Sequence, residues 1–165
     1  MLHIPPDNQR RAARPITAIA SAVMIAAAAA LFGFEGCATM AIRPDRAHYQ
    51  APVKVKMTVT GYCNCQKCCG WRYNWYGKPV TGKSGKTKKV GMTASGTRTR
   101  PGTIAADTTK YPFGTIVEIP GYGYGRVEDV GGAIKGEHLD AWFRSHAEAL
   151  KWGKKSLEVK VWLPK

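Results

Sequence analysis

Acidic residues are scarce in this 165-residue chain, which carries 11 Asp and Glu against 25 Lys and Arg and a formal net charge of +14. Such a surface favours polyanions, including nucleic acid, anionic lipid and the acidic polymers of a cell wall. The four histidines show no paired ligand spacing, so we predict no metal site and no cofactor. No internal repeat is visible, and the roughly 115 residues after position 50 suit one small domain.

One long apolar run is present, over residues 15–34, and a short segment with three arginines precedes it. This arrangement predicts export, which argues against nucleic acid as a partner. Three fates of the segment stay open: lipidation at Cys37, ordinary cleavage, or retention as a membrane anchor. We predict a signal or anchor at 1–37 and a linker at 38–52. The protein would reside at the periplasmic face of the outer membrane or elsewhere in the envelope, held through the anchor or lipid.

Three aspartates, Asp107, Asp129 and Asp140, stand in a glycine-rich frame, in the segments Ile-Ala-Ala-Asp, Val-Glu-Asp and His-Leu-Asp. Only eight acidic residues follow position 50, so these three stand out against twenty basic ones. Enzymes that cleave glycosidic bonds usually use clustered carboxylates as their catalytic groups. Aspartates beside glycines also cap turns by accepting local backbone N–H groups, and spacing alone does not separate the two roles.

Four cysteines fall within seven residues: Cys63, Cys65, Cys68 and Cys69. Four metal ligands this close would have to wrap one ion, and an exported protein favours disulfides; a metal site and free or redox-active thiols are the alternatives. Bridging 63 to 65, or the adjacent 68 and 69, would strain the backbone. Two pairings remain: 63–68 with 65–69, or 63–69 with 65–68. We predict that they staple a long loop to the strand before it.

Alternating apolar residues from Val53 predict a strand, and residues 61–90 form a cysteine-rich, aromatic-rich insert without a sustained period. Further short strands are predicted at 103–106, 115–119, 126–130 and 157–163, with a glycine-rich turn at 120–125. Ser145 and Glu148 predict a capping box, and Gly153 a stop, for one short helix. His146 is interpreted as a structural residue of this helix and His138 as solvent-facing. Short strands with one helix indicate a small closed barrel.

The chain resembles the 3D domain, a family named for its three aspartates. The resemblance runs from Thr93-Ala94-Ser95-Gly96 through Asp107 and Asp129-x-Gly-Gly-Ala-Ile-Lys-Gly to Asp140. It implies a mainly β fold, a small six-stranded double-psi β-barrel with one short helix, over residues 53–165. The family includes the C-terminal part of MltA-type lytic transglycosylases, which cleave peptidoglycan between N-acetylmuramic acid and N-acetylglucosamine and leave a 1,6-anhydro end.

The resemblance implies a site as well. Asp140 would be the general acid/base, Asp129 its carboxylate partner, and Asp107 a residue that orients or tunes the pair. A raised pKa would keep the acid protonated near neutral pH. Substrate contacts are expected from Lys135, Ser95, Thr93 and Tyr62. The expected partner is the glycan strands of peptidoglycan, and the protein is expected to be a monomer. The alternatives are a non-catalytic polysaccharide-binding module and a hydrolase that uses water.

Overall fold

The computed structural model describes residues 42–82 and 84–165. The predicted signal or anchor segment at 1–37, with Cys37, lies outside the described residues. No helix in the described part has the length and apolar character needed to cross a bilayer. The elements in chain order are β1 (Val53–Tyr62), α1 (Gln66–Cys69), β2 (Trp71–Tyr73), β3 (Pro79–Thr81), β4 (Thr103–Ala106), β5 (Ile116–Ile119), β6 (Gly123–Asp129), β7 (His138–Trp142), α2 (His146–Trp152) and β8 (Lys155–Trp162).

Six strands close into a barrel in the order β1-β7-β4-β6-β5-β8. β1 with β7 and β4 with β6 are parallel pairs, and the other four contacts are antiparallel. The parallel pairs require long crossing connections, as the double-psi arrangement implies. The predicted mainly β, six-stranded barrel is confirmed. The cysteine-rich insert adds the one-turn helix α1 and a separate two-stranded sheet of β2 and β3.

Alternate residues of each strand fill the barrel interior because side chains point to opposite faces of a strand. Among the interior residues, Val59, Leu139 and Ala141 are fully buried. Burying such aliphatic side chains is the main term favouring the fold. The residues between them, including Thr60 and Asp140, therefore face outward.

Helix α2 begins and ends where its sequence signals predict. The Ser145 hydroxyl accepts a hydrogen bond from the Glu148 N–H at 3.2 Å, which satisfies a free donor of the first turn. Gly153 ends the helix with φ +68°, a conformation that suits glycine. The Glu148 carboxylate accepts from the N–H of Arg144 at 3.3 Å and not from that of Ser145, so only half of the capping box forms.

Residues 42–50, which the sequence places in a linker, contact the barrel. Ile42 is buried, and the Tyr49 hydroxyl donates to the Gly114 carbonyl at 3.2 Å. The Gln50 N–H donates to the Leu163 carbonyl at 2.9 Å. The C-terminal end of this segment therefore pairs with the residues that directly follow β8.

Candidate functional site

Three neighbouring strands bring two of the aspartates to one outer face of the barrel. Ala105 of β4 lies in register with Asp140 of β7 on one side and with Asp129 of β6 on the other. Residues in register across neighbouring strands project from the same face, and two strand spacings separate Cα atoms by about 10 Å. The methyl group of Ala105 leaves the space between the two aspartates open.

A β-bulge selects which acidic residue of β6 joins this face. Ile104 pairs with Val127, but the next residue, Ala105, pairs with Asp129, so Glu128 is the extra residue. Bulges often redirect side chains beside functional sites. Glu128 is buried instead against Arg100, whose Nη2 lies 2.6 Å from its Oε1, so it does not enter the site.

The two aspartates line a cleft with a volume of about 240 Å³. Its walls come from the barrel, the cysteine-rich insert and the loops at 88–92 and 130–132. Polar and aromatic side chains on the walls are those of Tyr62, Asn64, Trp71, Lys88, Thr99, Asp129 and Asp140. Polar groups that converge on a concave cleft are typical of ligand-binding sites.

Asp140 is half-buried and holds one strong hydrogen bond. The Thr60 hydroxyl donates to its Oδ1 at 2.7 Å and lies 3.1 Å from Nε2 of His138. Burial raises the pKa of Asp140 above its ordinary value, and the negative charge of Asp129 raises it further. The Thr60 hydrogen bond and the neighbouring His138 act in the opposite direction on the same pKa. The net shift of the Asp140 pKa is upward, which is the direction that a general acid requires.

Asp129 is fixed by three donors. Its Oδ2 accepts from the Tyr62 hydroxyl at 3.0 Å, and its Oδ1 accepts from the N–H groups of Ala94 and Val130 at 3.0 and 2.9 Å. Burial and then the charge of Asp129 raise the pKa of Tyr62 far above its ordinary value, so the phenol stays a donor. The orientation of this carboxylate is therefore set before any substrate binds.

Asp107 lies outside the cleft, in contrast to its predicted place beside the other two. It follows β4, where its Oδ1 accepts from the Thr109 hydroxyl at 2.7 Å and its Oδ2 from the Gly136 N–H at 2.9 Å. The Gly136 and Thr109 hydrogen bonds lower the pKa of Asp107 to about 2. Its geometry is that of a turn cap that fastens the glycine-rich loop before β7.

Asp107→Asn is expected to destabilise the fold at neutral pH and to make its stability less dependent on pH in the acidic range. The carboxyl has a pKa of about 2 in the fold against an ordinary 3.8. A depressed pKa contributes stability above about pH 4 that is lost as the pH falls towards the folded value. Urea unfolding midpoints between pH 2 and pH 7 measure this. Parallel midpoints for the variant and the wild type would show that the carboxylate does not stabilise the loop.

The predicted substrate contacts divide between the cleft and its supports. Tyr62 lines the cleft. Lys135 is exposed, and its positive charge contributes to lowering the pKa of Asp107. Thr93 and Ser95 do not line the cleft; their hydroxyls lie 3.1 Å apart within one turn. That turn presents the Ala94 N–H to Asp129 and is fastened by the Ser95 N–H, which donates to the Glu128 carbonyl. Both residues therefore position Asp129.

Sequence reasoning did not identify Thr60, Asn64 or Lys88. Thr60 meets Asp140 through the parallel pairing of β1 with β7, which leaves no mark in the sequence. The Asn64 side chain accepts from Trp142 Nε1 at 2.9 Å and bonds Thr99, which ties the insert to the barrel. His138, interpreted as solvent-facing, is half-buried and bonds Thr60.

The four cysteines of the insert are free thiols in the structure, and the two disulfide pairings stay a prediction. The thiols of 63, 65 and 68 approach His146, at the start of α2, which was interpreted as structural. The Cys69 thiol donates instead to the Cys63 carbonyl at 3.2 Å, and Cys69 lines the cleft.

A closed β-barrel domain with two carboxylates facing one outer cleft is the class that the fold and the site define. Residues 102–164, which include all three aspartates, match the family model of the 3D domain. The resemblance to the 3D domain seen in the sequence is thereby confirmed for this segment.

Two proteins of Bacillus subtilis (strain 168) are similar to this chain. YabE, named for a role in cell-wall shaping, is 40% identical over 58 residues, which are 35% of this chain and 14% of that protein. The cell wall-binding protein YocH is 43% identical over 58 residues, 35% of this chain and 20% of its own length. The matched segment spans at most a fifth of either relative.

Among solved structures, the crystal structure of MltA from E. coli is 25% identical, with a TM-score of 0.37 over 45% of this chain and 28% of that chain. An apo form of an E. coli lytic transglycosylase MltA variant is also 25% identical, with a TM-score of 0.38 over 45% and 27%.

Proposed function

We propose that the cleft cleaves the glycosidic bond between N-acetylmuramic acid and N-acetylglucosamine in peptidoglycan, with a 1,6-anhydro product. The observation that carries the proposal is the placement of Asp129 and Asp140 on one cleft, with the pKa of Asp140 raised. The 3D-domain match and the cell-wall names of the two Bacillus relatives support the envelope polymer as substrate. The net charge of +14 suits a polymer that carries carboxylates.

Asp140 carries the proton in this reaction. Its carboxyl protonates the bridging oxygen as the bond from that oxygen to C1 of N-acetylmuramic acid breaks. The C6 hydroxyl oxygen of the same sugar attacks C1, and Asp140 takes the C6 hydroxyl proton. The carboxyl ends protonated, as it began, and no water is consumed. Because the nucleophile belongs to the substrate, one acid/base residue suffices.

Asp129 acts by charge. Positive charge develops at C1 as the bond breaks, and a fixed carboxylate across the cleft stabilises it. The same charge also raises the pKa of Asp140. The three donors that hold Asp129 prevent it from turning toward Asp140 and sharing its proton.

The walls of the cleft supply the contacts that Lys135 was predicted to make. Lys88 donates to the Cys69 carbonyl at 3.3 Å and places a cation at the cleft, where it can pair with a carboxylate of the peptidoglycan. Of the aromatic residues of the insert, Trp71 lines the cleft and suits stacking on a sugar ring, whereas Trp75 is 82% exposed.

Binding without cleavage is the second candidate, and the name of the cell wall-binding relative favours it. The test incubates the full chain, purified in mild detergent, with isolated peptidoglycan and analyses the soluble products by mass spectrometry. We expect muropeptides with anhydro ends. Reducing ends would show a hydrolase instead, and sedimentation with intact wall and no release of products would show a binding module.

A further inference from the structure

Four side chains from two distant segments meet beside the insert. Cys63 and Cys65 lie between β1 and α1, Cys68 lies in α1, and His146 is the first residue of α2. Their sulfur and ring nitrogen atoms all lie within 4.8 Å of one another. The cleft chemistry uses none of these four groups.

Three of the six separations can be compared individually with the edges of a metal-centred tetrahedron, and all three are close to them. A zinc ion with Zn–S of about 2.3 Å and Zn–N of about 2.0–2.1 Å has S···S edges of about 3.8 Å and S···N edges of about 3.6 Å. The Cys63 and Cys68 sulfurs are 3.7 Å apart. His146 Nδ1 lies 3.6 Å from the Cys65 sulfur and 3.3 Å from the Cys68 sulfur.

We propose that Cys63, Cys65, Cys68 and His146 bind one zinc ion as a structural Cys₃His site. Three sulfurs and one imidazole nitrogen are a donor set that zinc prefers, and four protein ligands leave no open position for a substrate. Each thiol gives up its proton when the metal binds, so the site would carry three thiolates around a dication.

Local structure holds the ligands in place. Cys65 is the N-cap of α1, and its sulfur accepts from the Cys68 N–H at 3.4 Å, a hydrogen bond that favours a thiolate. Gly70 ends this single turn with φ +59°, which releases the chain into β2. The Ser145 cap fixes the start of α2 and so the backbone that carries His146.

The ion would fasten the insert to the barrel beside the cleft. Between and after the cysteine ligands lie Asn64, Cys69 and Trp71, all of which line the cleft. A four-residue helix is too short to be stable by itself, so its position needs an external tie. The zinc would provide that tie at the wall where Trp71 meets a substrate.

Cys69 and His146 separate this proposal from the predicted disulfides. Both disulfide pairings require Cys69 and neither uses His146. The zinc site requires His146, and the Cys69 sulfur is not in the cluster, since it donates to the Cys63 carbonyl at 3.2 Å. Two adjacent cysteines, 68 and 69, therefore give a matched pair of variants.

The experiment measures metal in the full chain, purified without chelator, by inductively coupled plasma mass spectrometry, together with thiol counts. We expect about one zinc per wild-type chain, and one also for Cys69→Ser. Cys68→Ser and His146→Asn should lose the stoichiometric zinc. Cobalt substitution of the reduced chain gives a second readout: thiolate-to-cobalt absorption in the wild type and Cys69→Ser, weakened or lost in the other two.

Disulfides in the purified wild type with no zinc uptake after reduction would overturn the proposal. So would equal zinc content in Cys68→Ser and Cys69→Ser. If Cys68→Ser does not fold, the comparison of wild type with His146→Asn decides, since that variant keeps all cysteines. These outcomes do not depend on whether the cleft cleaves peptidoglycan.

Discussion

Asp140→Asn is expected to reduce peptidoglycan cleavage by about 10²–10⁴-fold, the range for loss of a general acid/base. The amide keeps the shape of the side chain and can still accept the hydrogen bond from Thr60 through its oxygen. The amide has no acidic proton to give to the leaving oxygen and is too weak a base to take one from the C6 hydroxyl. The rate of muropeptide release, measured for variant and wild type at equal concentration, gives the result.

The same variant is expected to be more stable than the wild type at neutral pH. Burial raises the folded pKa of Asp140, so its carboxyl favours folding at low pH and this contribution is lost as the pH rises through the folded value. Asn removes the cost of ionising a half-buried group. Thermal unfolding at pH 4 and pH 7 should show the gain at pH 7, and a loss of stability there would contradict the assigned cause of the raised pKa.

Thr60→Val is the matched control for the proton chemistry. The Thr60 hydroxyl lowers the pKa of Asp140, so its removal is expected to raise that pKa. The alkaline limb of the pH–rate profile, where the acid loses its proton, should then move to higher pH. The carboxyl itself remains. Full cleavage by Asp140→Asn, or an unmoved profile in Thr60→Val, would remove Asp140 from the role of acid.

Local sequence signals predicted much of the fold. The strand over Thr103–Ala106 and the helix with Ser145 and Gly153 at its ends depend on near neighbours in the chain, and both form as predicted. Strand β7, at His138–Trp142, was not among the predicted strands. It is five residues long and follows a glycine-rich loop, so its strand character comes from pairing with β1 and β4.

The site depends on register, which the sequence does not encode locally. Asp107 and Asp129 look alike in the chain, each at the end of a strand. The bulge at Glu128 turns one of them into the cleft, while Asp107 lies past the end of β4 and caps a turn. The approach of His146 to the cysteines, across some 80 residues of sequence, is likewise a product of barrel closure.

Gly125→Ala is expected to destabilise the fold by about 1–3 kcal/mol, the usual effect of an extra methyl group in a packed core. The glycines at 120–125 were predicted to form a turn, but Gly125 lies within β6, opposite Val117. A Cβ there would lie 2.5 Å from Ile104 Cγ1 and 3.0 Å from the Gly102 carbonyl oxygen. Ile104 is fully buried, so it has no free space to move into.

Urea unfolding measures the loss, with Gly132→Ala as the control. A Cβ at Gly132 would meet nothing within 4 Å, and its φ is not positive, so that variant should match or slightly exceed the wild type. Equal stability of the two variants would mean that the barrel relaxes around the new methyl group. Because Ile104 precedes Ala105, such relaxation would also move the residue that separates Asp129 from Asp140, and cleavage would fall even where stability did not.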